Sequence, residues 1–467
     1  MKAGARAAAP EKDYARVFAG VFGVFLGLAL LKFGNPPIME KWVAAPDTFW
    51  DFLLGYPWPI TWGYGLLGLT GIAGLLAARC KTGAPIWVIL LPAIWLVWEI
   101  VAGTRSLDPA LTAATLKHFA ACVLCFFLGL FSLGRVKNLG PLWFGLFCGF
   151  FLTLAAGWEQ HFGGLKETRR YFFLYIYPQM TEVPPDYLKK IASDRIFGTL
   201  FYPNALAGAV LLLLPPAVAV LLRANRFTPA ARLLLAGLAV TAGLGCLYWS
   251  GSKGGWLLTL ATGMVALSRL PFPRALKATL LGMVLLAGLA GFFLKHAGFF
   301  EKGATSVGAR FDYWEAALKT VQASPVFGTG PGTFFIPYQK LKRPKSEPAR
   351  LVHNDYLEQA SDSGLPGFLA YATFVVAALV FSFPKAAFQC SPVSSMDSAS
   401  LRESLWKLTQ ADEWLHFSIW LGVLGFSLQG LMEFGLYIPA LAWPAFALLG
   451  WLQANSRNAF DMPRGSS

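Results

Sequence analysis

Apolar positions in this chain come in long unbroken runs, unlike the alternation of a strand or the one-sided stripe of a surface helix. A helix must supply about 20 mostly apolar residues to cross roughly 30 Å of hydrocarbon. Runs of that kind lie near 17–34, 58–79, 84–102, 113–133, 140–158, 204–222, 231–249, 254–270, 276–294, 364–384, 414–433 and 436–453. The pattern predicts an all-α polytopic membrane protein of about 12 transmembrane helices. No small-residue cleavage site follows the first run, and Phe33-Gly34-Asn35-Pro36-Pro37 reads as a helix exit. The first run is therefore expected to be a retained span and not a signal peptide.

Composition agrees. Of the 467 residues 56% are hydrophobic and only 14% charged, against about 25% charged in soluble domains. Disordered, collagen-like and small disulfide-stapled chains are excluded by the same figures. The six cysteines form no disulfide framework. Cys122 and Cys125 make a C-x-x-C inside an apolar run without a second ligand pair, and read as small helix residues. A net charge of +14 would suggest nucleic acid in a soluble protein. Here cytoplasmic loops account for much of it, and no nucleic-acid partner is expected.

Charge also predicts orientation. Lys2, Arg6, Lys12 and Arg16 precede the first span. The connections on the same side hold Arg79 and Lys81, Arg135 and Lys137, Arg223, Arg226 and Arg232, then Arg269, Arg274 and Lys277. Opposite connections carry Lys41, Arg105 and Lys253 nearly alone. Both termini are expected in the cytoplasm. Three regions follow: spans 1–9 in 1–294 with an external loop at about 159–203, an external loop at 295–363, and spans 10–12 in 364–467 with a cytoplasmic loop at about 385–413.

Ionisable groups are costly inside a bilayer, about 2.5–3.5 kcal/mol each on insertion scales, so their placement is informative. Glu99, Lys117 and Lys253 fall near the outer boundary, whereas His416 falls near the inner face and reads as structural. The 295–363 loop is the richest segment. Its opening predicts an amphipathic helix with Phe311, Trp314, Leu318 and Val321 on one apolar face, and Arg310 a turn before Trp314. Next, Gly328, Gly330 and Gly332 alternate in Pro325–Phe334, allowing tight turns or close approach to a ligand. Residues 340–350 hold five cations and one acid, which fits either a solvated run or attraction to phosphates. His353-Asn354-Asp355-Tyr356-Leu357 follows, then Gly364-Leu365-Pro366-Gly367 leading back to the membrane.

In this order Arg310…Trp314, Pro325–Gly330, His353–Leu357 and Gly364–Gly367 resemble the O-antigen ligase family, bacterial membrane enzymes that move a glycan from undecaprenyl diphosphate to an acceptor. Arg195-Ile196-Phe197-Gly198-Thr199…Pro203-Asn204 and Ser250-Gly251-Ser252-Lys253-Gly254 are similar to two further motifs of that family, over roughly 190–370 in all. Lys253 stands where the family usually shows Arg, keeping the charge but losing the planar fork. The resemblance implies a C-class glycosyltransferase-like fold and an inverting, metal-independent reaction without cofactor. It implies His353 as base and Arg310 as catalytic cation. The substrate-binding set it implies is Lys253, Arg195, Asn204, Ser252, Gly328, Gly330, Asn354 and Tyr356. A histidine, with an ordinary pKa near 6.5, can be neutral at about pH 7 and accept a hydroxyl proton.

The expected setting is the bacterial inner membrane, with the site on the periplasmic side. The donor is an undecaprenyl diphosphate-linked glycan, and the acceptor is lipid A-core for a ligase or a second lipid-linked glycan for a polymerase. Transfer to a protein hydroxyl, and in a different class secondary transport, stay open. No Asp-x-Asp occurs in either external loop, so no Mg²⁺ ligand set is expected. Whether His353 lies within a helix or at its start stays open too.

Overall fold

The computed structural model describes residues 13–54, 57–78, 84–171, 192–301, 305–344, 346–384 and 410–456, with 173, 174, 177 and 188. Among these residues the chain is all helix, turn and loop, without strands. In chain order the helices begin with α1 (Asp13–Lys32), α2 (Phe49–Leu54), α3 (Ile60–Ala77), α4 (Ile86–Gly103) and α5 (Pro109–Phe127). Then come α6 (Gly140–Glu159), α7 (Leu165–Tyr171), α8 (Pro203–Arg223), α9 (Pro229–Ser250), α10 (Lys253–Ser268) and α11 (Arg274–Glu301). The last five are α12 (Thr305–Ala323), α13 (Phe335–Leu341), α14 (Asp355–Phe381), α15 (Asp412–Gln429) and α16 (Pro439–Asn455).

Every predicted apolar run coincides with a helix. Nine helical segments are long and apolar enough to cross a membrane, counted over the described residues: α1, α3, α4, α5, α6, α8, α9, α11 and α14. The other three predicted spans are α10, α15 and α16, of 16, 18 and 17 residues. Most of the expected linker at 385–413, and the middle of 159–203, lie outside the described residues.

Local chemistry sets several helix starts. Asp108 accepts from the amides of Ala110 and Leu111 ahead of α5, and Thr228 accepts from Ala231 ahead of α9. Both helices carry Pro at the first position, where its missing N–H costs nothing. Between α9 and α10 the chain turns within two residues. Gly251 is left-handed and Ser252 caps the new helix through the amide of Gly255.

α16 is the hub of the bundle, buried from Pro439 through Gln453, which matches a helix that is apolar all round. α11 is its opposite, with Phe292 and His296 its two buried residues. α1 lies against α6 through glycines. A Cβ at Gly27 would fall 2.2 Å from the carbonyl oxygen of Gly145, and one at Gly149 would fall 2.2 Å from that of Gly27. Such small-residue contacts replace the hydrophobic driving force that lipid removes.

One predicted face is corrected. α12 does form around Arg310, but Phe311 and Leu318 are exposed, and the side chains it buries are Tyr313, Ala316, Ala317 and Thr320. Ala316, Ala317 and Thr320 let α12 approach α14 and α13 closely, and Tyr313 fills the space beside Phe334 and Tyr338. Fit to the facing helices, not hydrophobicity alone, selects the face.

Candidate active site

His353 occupies a bend immediately before α14 with φ +56°, a costly conformation for a residue with a Cβ. Its neighbours hold it there. On one side the amide of Val352 donates to Glu358 Oε2 at 3.1 Å. On the other, Asn354 caps α14, its Oδ1 accepting from the amides of Tyr356 and Leu357 at 3.1 and 3.0 Å. The histidine therefore precedes the helix cap. Its ring stacks on Tyr313 and meets Phe434 edge-on, with centroids 5.7 and 4.7 Å apart.

The ring's Nδ1 lies 3.2 Å from Glu433 Oε2. Burial pushes the Glu433 carboxyl up, yet the hydrogen bond and charge of His353 and the charge of Arg310 outweigh it and leave it below its ordinary value. An ionised carboxylate only accepts, so Nδ1 carries the hydrogen and Nε2 of a neutral ring is left as acceptor. No other hydrogen bond of this ring forms among the described residues, and its side chain is 29% exposed. His353 is thus an oriented imidazole with an open nitrogen, the geometry a general base requires.

Glu433 is the centre of the cluster. Its other oxygen accepts from Arg310 Nη2 and, at 2.6 Å, from Asn204 Nδ2. Arg310 Nε also donates to the carbonyl of Met432 at 3.1 Å. Asn204 Oδ1 accepts from Arg195 Nη2 at 2.8 Å, and Arg195 Nε reaches the carbonyl of Ser250 at 2.6 Å. Lys253 follows that turn. Its Nζ stands 3.8 Å from the ring centroid of Phe299 and makes no ion pair among the described residues. Burial, then the charges of Arg195 and Arg310, lower its pKa to about 8, so the three cations share one electrostatic neighbourhood.

Five of the expected residues therefore form one network or its rim: His353, Arg310, Arg195, Asn204 and Lys253. Others are placed differently. Ser252 is buried and spends its hydroxyl on capping α10. Asn354 spends its oxygen on capping α14. Tyr356 turns away from the cations, donating to the carbonyl of Ser427 at 3.1 Å. Gly328 and Gly330, with φ +64° and +106°, make their close approaches to protein: a Cβ would strike the backbone of Asp362 and the side chain of Ser106. The amides of Thr329 and Gly330 donate to the carbonyls of Ser361 and Asp362 at 3.1 and 2.8 Å, and that of Gly332 to Asp362 Oδ2 at 2.6 Å. This loop sews α14 to the α4–α5 turn.

Sequence reasoning missed Glu433 and Glu358. Glu433 had a signal, being an acid at the end of an apolar run in Leu431-Met432-Glu433-Phe434, where a charge is expensive. Glu358 lies one turn inside α14, a position the notion of a loop histidine did not reach. Among the described residues no group of three or more His, Cys, Asp or Glu side chains is arranged to hold a metal ion.

Residues 237–372 match the family model described as O-antigen ligase. The chain carries an O-antigen ligase family domain. The resemblance read from the motifs is borne out over this segment, and the all-helical membrane fold is consistent with it. The O-antigen ligase domain contains Lys253, Arg310 and His353, while Arg195, Asn204 and Glu433 reach the cluster from outside it. The chain is also 28% identical over 156 residues to an uncharacterized protein of Haemophilus influenzae, an overlap of 28% of this chain and 39% of that protein. The match thus spans about two fifths of that relative's length.

Proposed function

We propose that this O-antigen ligase family protein moves a glycan from undecaprenyl diphosphate to an acceptor hydroxyl at the periplasmic face of the bacterial inner membrane, both termini being cytoplasmic. The acceptor in this reading is lipid A-core. Nε2 of His353 takes the hydroxyl proton as the oxygen attacks the anomeric carbon from the side opposite the diphosphate. The bond from that carbon to the diphosphate oxygen breaks, and its electron pair leaves with the diphosphate. Arg310, Lys253 and Arg195 face the charge that develops there, and fixed cations in a partly desolvated site are effective at that task. The reaction inverts the anomeric centre and, in this reading, needs no metal.

The observation that carries the reading is the convergence of one oriented imidazole and three cations on a single carboxylate-centred cluster. The cluster is built where helices begin and end, which suits a substrate arriving from the membrane surface better than transport through a midplane site.

Purified protein in liposomes, given undecaprenyl diphosphate-linked glycan, is the test. Transfer to lipid A-core supports the proposal. Transfer only to a second carrier-linked glycan makes the protein a polymerase, and transfer only to a protein hydroxyl makes it an O-oligosaccharyltransferase. Absence of transfer to all three refutes it.

A further inference from the structure

Arg350 is three residues before His353 and is not part of the carboxylate-centred cluster. Its guanidinium sits between two rings, 4.4 Å from the centroid of Trp42 and 5.4 Å from that of Phe335. Among the described residues it makes no hydrogen bond and no ion pair, so its fork of N–H donors is held in place by aromatic faces with nothing accepting from it. One other cation of the same basic run is already paired. Arg343 reaches Glu315 at 2.7 Å and Asp312 at 3.6 Å.

Further groups share the place. Lys41 Nζ stands 4.4 Å from the Trp42 ring and makes no ion pair among the described residues. The Tyr202 ring meets Phe434 edge-on at 5.2 Å, and Phe434 meets His353 at 4.7 Å. Ring contacts thus lead from Tyr202 to the proposed base, apart from Arg310, Arg195 and Lys253. The acid on the Trp42 turn, Glu40, is turned away, accepting from the amide of Ile60 at 2.7 Å.

We infer that Arg350, with Lys41, forms a second anion site that takes a phosphate group of the acceptor and so sets its hydroxyl toward His353. The inference rests on the glycosyl-transfer reading and adds to it an acceptor subsite of stated chemistry. A planar guanidinium stacked on rings is already oriented for bidentate contact with phosphate, and little ordering remains to be done on binding. The donor diphosphate has its own cations, so two anionic groups can be held at once.

The test is binding without donor, which makes its failure separable from failure of the transfer reaction. Purified lipid A-core and the same material stripped of phosphate by phosphatase are titrated in detergent into wild type, Arg350→Gln and Arg350→Lys. Wild type is expected to prefer the phosphorylated form by about ten- to a hundred-fold, the range of one or two charge-assisted contacts. Arg350→Gln is expected to lose most of that preference. Arg350→Lys, which keeps charge and stem, is expected to fall between and serves as the folding control. Equal binding of both forms by wild type, or an undiminished preference in Arg350→Gln, overturns the inference.

Discussion

Replacing Glu433 by Gln probes the carboxylate that joins the base to the cations. The side chain is 10% exposed and accepts from Arg310, Asn204 and His353. Gln keeps the volume and one acceptor oxygen but loses the charge and puts an N–H₂ where an acceptor stood. Hydrogen bonds to charged groups contribute about 1.5–3 kcal/mol each. Losing the one that orients Nδ1 of His353 should lower kcat by about ten- to a hundred-fold, at 1.4 kcal/mol per tenfold. Arg310, no longer paired with a full negative charge, should bind the donor diphosphate at least as well, so KM for donor stays level or falls while kcat drops. Glu433→Ala should be worse, since removing one partner of a buried pair costs about 3–5 kcal/mol.

A stability readout separates charge from shape. The folded pKa of Glu433 lies below its ordinary value, so its contribution is present above the unfolded carboxylate pKa and is lost as pH falls through the folded one. The Tm gap between wild type and Glu433→Gln should be full at neutral pH and close on acidification below about pH 4. The assays are steady-state transfer in liposomes and thermal unfolding across pH. Wild-type kcat with a pH-independent Tm gap would refute the assigned role.

Lys253 should lose its charge as pH rises through about 8, far below an ordinary lysine, so transfer should decline on the alkaline side. Lys253→Arg should move that decline upward while keeping most activity, and Lys253→Ala should lose it; identical pH profiles for wild type and Lys253→Arg would remove Lys253 from the clamp. Gly149→Ala should force α1 and α6 apart, because the new Cβ has only a backbone carbonyl to meet. An overpacking cost of about 1–3 kcal/mol should appear as a lowered Tm, and an unchanged Tm would contradict the close approach. Chelator should leave transfer by the purified protein unchanged, and a strict Mg²⁺ requirement would contradict metal independence.

Much of this architecture is legible in one dimension because a bilayer enforces long apolar runs, and each such run became a helix. The cluster was partly legible for a related reason. Lys253, a cation at the end of an apolar run, stands out against a chain with few charges, and Arg195 was reached through its motif. What was not legible depends on three-dimensional fit. The face of α12 was misread because Tyr313, Ala316 and Ala317 fit the surfaces of α13 and α14, whereas Phe311 and Leu318 are the more hydrophobic and lie outside. The glycines at 328 and 330 read as a ligand cradle because spacing cannot say whether protein or substrate fills the space beside them. Glu433 escaped because its partners are 80, 123 and 229 positions away, distances over which no local pattern speaks.

The most direct test of the central claim is a single turnover with donor already bound, comparing wild type with His353→Gln and His353→Ala in liposomes. An oriented imidazole acting as general base is worth about 10²- to 10⁴-fold. A loss of that size in the transfer step is expected, with donor affinity and Tm preserved. Transfer at the wild-type rate in either variant would contradict it.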